Sequence, residues 1–76
     1  MATEIAPGIV VDTAIKAGKP VIKGTRVPVG LVIAKLGDGM SREQVMGEYG
    51  LTADDVLAAL RYAARVVSLE HVRSGD

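Results

Sequence analysis

The segment Gly18–Val29 reads GKPVIKGTRVPV and sets Lys19, Lys23 and Arg26 among apolar residues. On an extended strand, residues 19, 21 and 23 share one face, so Lys19 and Lys23 together can reach a phosphate backbone. The same two ammonium groups equally suit the solvated face of a two-stranded ribbon. Arg26 stands between Thr25 and Val27, just ahead of a helix-forming run. A guanidinium there can bridge backbone carbonyls or pair with Asp38 or Asp55, which is a structural role. Arg42, beside Ser41, joins Lys19 and Lys23 as a candidate DNA contact.

Other chemistry is thinly represented. Ser41, Ser68 and Ser74 have no base in the sequence except His71, the single histidine. There is no cysteine, which excludes disulfides and thiolate metal sites. No glycine-rich phosphate loop and no helical pair of histidines is present. The sequence therefore predicts no catalytic residues, no bound metal and no cofactor. One exception is kept open: two copies of His71, brought together across a dimer axis, could ligate a haem. The plainer role for His71 is a helix-end histidine beside terminal carbonyls.

The residues that must position these groups are few. The chain has 76 residues, with nine Lys and Arg against nine Asp and Glu. That length means one domain, which buries only about 60% of its unfolded surface. Hydrophobic residues make up 49%, yet there is no Phe and no Trp. Val, Ile, Leu and Ala must build the core. A core that small, with no disulfide or metal to complete it, points to self-association. The neutral charge argues against indiscriminate nucleic-acid binding. No apolar run reaches membrane-spanning length and no signal-peptide layout is visible, so a cytoplasmic protein without a membrane partner is expected.

The expected elements follow from local pattern. Residues 1–8 read as a flexible tail and residues 9–76 as a single domain. GIVVD (8–12) and VIKGT (21–25) read as short strands joined through the AGKP turn, a ribbon over about 9–25. Pro28 suits the first turn of a helix over about 28–37, with Val29, Val32, Ile33 and Leu36 at helical spacing. Ser41 with Gln44 is a capping-box pattern for a helix over about 42–49, which Gly50 stops. Thr52 caps a third helix over about 53–72, with Asp54 and Asp55 in its first turn.

Residues 43–60 have helix-turn-helix form, with Leu51 plugging the interface and Val56 and Leu60 packing back onto Val45 and Tyr49. A DNA reader would touch bases from the start of the second helix of such a pair. Here Ala53, Asp54 and Asp55 occupy it, and two carboxylates repel phosphate. Met46 also stands where such motifs usually carry a small residue. A packing unit is the expectation. The third helix carries a wide apolar face: Val56, Leu57, Leu60, Ala63, Ala64 and Val67, widened by Ala59, Val66 and Leu69. A helix apolar over so much of its circumference is a buried one. Val56, Leu57, Leu60, Ala63, Ala64 and Val67 are therefore the candidate dimer interface.

From the Gly-Lys-Pro run to Arg61-Tyr62-Ala63, the chain resembles the bacterial family labelled domain of unknown function 433. The resemblance rests on Gly-Lys-Pro-x-Ile-x-Gly-Thr-Arg-x-Pro-Val, a following Gly-Met-Ser, a Leu-Thr step and Ala-Leu-x-Tyr-Ala, over about residues 9–64. Thr13 departs from it, since many members carry proline after the aspartate. The resemblance implies a mainly α fold: a short N-terminal β-ribbon, then a three-helix homeodomain-like bundle, expected to be dimeric. It also implies an antitoxin of the VapB type, which neutralises a PIN-like nuclease toxin and binds operator DNA. Two alternatives stand beside that function: a dimeric protein-binding module without DNA activity, and a haem-responsive regulator using His71. On this reading Gly18, Pro20, Gly24, Thr25, Arg26 and Pro28 form a structural joint between ribbon and helices.

Overall fold

The computed structural model describes the backbone of residues 1–73 and the side chains of residues 1–69. A three-stranded antiparallel sheet, β1 (Thr3–Ala6), β2 (Ile9–Val11) and β3 (Val21–Ile22), precedes three helices, α1 (Val29–Gly37), α2 (Arg42–Tyr49) and α3 (Ala53–Arg73). The sheet order is β1-β2-β3, with Glu4 opposite Val10, Ile9 opposite Ile22 and Val10 opposite Val21.

The first strand corrects the expectation of a loose tail over residues 1–8. Its residues are mostly exposed, so no hydrophobic pattern announces it. Two features hold it: the hairpin ladder to β2, and the Glu4 carboxylate, which accepts from the Gly8 N–H at 3.0 Å and from the distant Lys23 Nζ at 3.0 Å. Gly8 turns the chain between β1 and β2 at φ +78°, a shape denied cheaply to other residues. The predicted second strand is also shorter than VIKGT. After Ile22 the chain turns, with Gly24 at φ +79°. Thr25 closes that turn: its hydroxyl donates to the Ile22 carbonyl at 2.7 Å and accepts from the Val27 N–H at 3.0 Å.

Between β2 and β3 lies a tight 3-10 turn, Lys16–Gly18, in which Lys16, Ala17 and Gly18 all have positive φ, at 51°, 56° and 81°. For Lys16 and Ala17 this left-handed shape costs roughly 1–2 kcal/mol each. The Val29 N–H donates to the Pro20 carbonyl at 3.0 Å, tying the end of this loop to the start of α1.

The helices begin and end on local chemistry. At Ser41 both halves of the capping box are made, at 2.8 and 3.0 Å. Gly50 takes the left-handed shape that stops α2. Thr52 caps α3 by accepting from the Asp55 N–H at 3.1 Å, and Asp55 returns the bond by accepting from the Thr52 N–H at 3.0 Å. Ile9, Ile22, Val29, Val32, Val45, Leu51, Val56 and Ala59 form the core, with Leu36, Tyr49, Leu60 and Tyr62 packed against it. Leu51 is the plug between α2 and α3. No helix of the described residues is long and apolar enough to cross a membrane.

Candidate functional site

Several polar side chains near the sheet serve the fold. Glu4 binds Gly8 and Lys23, while Asp12 accepts from the Ala14 N–H at 2.9 Å and faces the terminal amine at 3.4 Å. The Gly8 N–H, and then the Lys23 ammonium, hold the Glu4 carboxyl below its usual range. The Ala14 N–H does the same for Asp12, with burial opposing it and smaller help from the terminal amine and Arg26. Among the described residues no polar or charged residue is buried, no buried side-chain polar atom lacks a partner, and no three metal-binding side chains cluster. Nothing among them is arranged as nucleophile and base.

The three candidate DNA contacts are not gathered. Lys23 is bound to Glu4, Lys19 is exposed at the end of the 3-10 turn, and Arg42 is exposed in the first turn of α2. Asp54 and Asp55 stand at the start of α3. Arg26 is exposed and makes no side-chain hydrogen bond or ion pair among the described residues; neither Asp38 nor Asp55 holds it. The joint of β3 and α1 is built instead by Gly24, Thr25 and the Pro20–Val29 backbone bond. His71 lies outside the described side chains.

The candidate dimer residues divide. Val56 is 0% exposed, enclosed by its own chain, and leaves no surface for a second copy. Leu60 packs against the same core. Leu57 and Ala63 are half-buried, and Ala64 is exposed. Farther along α3, Val66, Val67 and Leu69 are 39%, 60% and 65% exposed. Beside them runs an open groove of about 1130 Å³. Leu31 and Ile33 of α1, Tyr62, Ala63, Val66 and Val67 of α3, and Lys16 and Lys19 of the preceding loop line it. Its lining is mostly apolar, with two lysines and one tyrosine as the polar side chains. Periodicity showed the stripe on α3, but only the fold shows that its first half is core and its second half is surface.

A short three-stranded antiparallel sheet followed by three helices, with an apolar groove lined from α1 and α3, defines the fold of this small domain. A family model described as a protein of unknown function, DUF433, matches residues 9–63, and the chain belongs to that family. It is similar to a DUF433 member protein from Anabaena variabilis of known crystal structure, at TM-score 0.74 and 26% identity, over 91% of this chain and 69% of that one. It is also similar to Rv2018 from Mycobacterium tuberculosis, at TM-score 0.63 and 35% identity over 68% of this chain. The chain spans only 24% of the length of Rv2018. No curated protein matches it.

Proposed function

We propose that this chain is a small antitoxin-like regulator that acts by holding other proteins, with a PIN-like nuclease toxin as its partner. The observation that carries this is the face between α1 and α3, where an open apolar groove adjoins exposed Val66, Val67 and Leu69. The nuclease as partner comes from the family resemblance. In this reading the three helices are a homeodomain-like, helix-turn-helix unit used for packing, and the protein works in the cytoplasm without catalysis of its own. Operator DNA has less support, because Lys23 is held by Glu4 and Asp54 and Asp55 front the third helix.

Expression together with the product of the adjacent reading frame tests the proposal. A PIN-like nuclease that co-elutes with this chain and stops cleaving RNA is the expected result. A neighbouring product that elutes apart, or a complex that cleaves at the rate of the free nuclease, would overturn it.

A further inference from the structure

The groove between α1 and α3 has two properties that together define what fits it. The first is that helices build it: Leu31 and Ile33 come from α1, Tyr62 and Val66 from α3. The peptide groups of a helix bond within it, so this surface offers no row of free N–H and C=O groups. An extended segment laid there would bury backbone groups without partners, each at a cost comparable to a lost hydrogen bond. A helix arrives with its own backbone satisfied and needs only an apolar stripe to fill the groove.

The second property is charge of one sign. Lys16 and Lys19 line the groove, and no carboxylate does. Neither lysine makes an ion pair among the described residues, whereas Lys23, farther along, is bound to Glu4. Both belong to the loop between β2 and β3, and the bond from the Val29 N–H to the Pro20 carbonyl fastens the end of that loop to the start of α1. The turn that carries them is strained: Lys16 and Ala17 hold positive φ without being glycine. Such strain persists only where the surrounding structure enforces it, and it concentrates at ligand clamps.

We infer that the groove takes an amphipathic helix whose inserted face is apolar and which carries carboxylates where it passes Lys16 and Lys19. This deepens the function proposed above and rests on it for the owner of the helix, which is the partner nuclease.

The probe is a synthetic amphipathic peptide with a leucine stripe on one helical face and two glutamates at one end; its twin carries lysines in place of the glutamates. Titrated into the full chain at low salt, the glutamate peptide should bind roughly tenfold more tightly than the twin, and added salt should shrink the preference. Backbone amide shifts should move at Leu31, Ile33 and Val66. In Lys16→Glu/Lys19→Glu the preference should reverse. Both lysines are exposed, so the variant should keep its fold, and binding of the lysine peptide verifies that it does. If it does not fold, the preference of the wild type between the two peptides decides alone. Equal binding of the peptides by the wild type, or a preference that survives the charge reversal, would overturn the inference. A chain that binds neither peptide would overturn it too, and laurate moving the same amides would then mark the groove as a site for a small amphiphile. A nuclease that elutes apart from a chain showing the expected peptide preference would defeat the function proposed above and leave the chemistry of the groove standing. A nuclease held and inhibited equally by the wild type and by Lys16→Glu/Lys19→Glu would do the reverse.

Discussion

Gly8 and Gly24 both lie at positive φ, yet alanine should affect them unequally. At Gly24 a new Cβ meets nothing within 4 Å, so the cost is backbone strain alone, about 1–2 kcal/mol. At Gly8 the same strain is joined by the Ala58 Cβ at 3.0 Å from the new atom. Gly8→Ala should therefore destabilise more than Gly24→Ala in denaturant titrations, and equal losses would contradict this. Arg26→Ala should change stability by less than about 0.5 kcal/mol, as for an exposed side chain without partners. Gly24 was legible because glycine beside a short β-branched run has few other uses, whereas Gly8 falls at the end of what reads as a tail. Arg26 was not, because its neighbours in sequence do not show that it points to solvent. Titration belongs to this scale too. Glu4 and Asp12 are both held below their ordinary range in the folded chain. Each therefore adds stability that is present above the unfolded carboxylate value and is lost as pH falls through the lowered folded value. Glu4→Gln should flatten the acid side of a melting-temperature profile; an unchanged profile would show that the Gly8 and Lys23 contacts add nothing.

The elements that were legible are those whose signals lie within a few residues. Ser41 with Gln44 and Gly50 with Thr52 mark the ends of α2 and the start of α3 by chemistry that needs no tertiary partner. The return bond from Asp55 to the Thr52 N–H makes this a second reciprocal cap. Ser41→Ala and Thr52→Ala should each cost about 1 kcal/mol. Asp54→Ala, which breaks no hydrogen bond found among the described residues, should cost less than either. Thermal melts of the three variants check the order, and a larger loss at Asp54 would contradict the capping account. The strand β1 was illegible for the opposite reason. Thr-Glu-Ile-Ala is mostly exposed, so no apolar alternation marks it, and it becomes a strand by pairing with the edge that β2 offers.

At the scale of the whole molecule, the periodicity of α3 predicted an apolar face wider than one small domain can cover, and the fold divides that face. Val56 and Ala59 close the core, whereas Val66, Val67 and Leu69 continue beyond it beside the groove. The groove could not be read from sequence, since its walls come from α1, from α3 and from a left-handed turn at Lys16–Gly18 whose shape two non-glycine residues conceal. The central claim is that this face gives the chain its work, which is to hold and silence a nuclease. The most direct measurement is RNA cleavage by the product of the adjacent reading frame as this chain is titrated in. Cleavage should fall in proportion to added chain and stop at a fixed stoichiometry. Undiminished cleavage in the presence of excess folded chain would contradict the account.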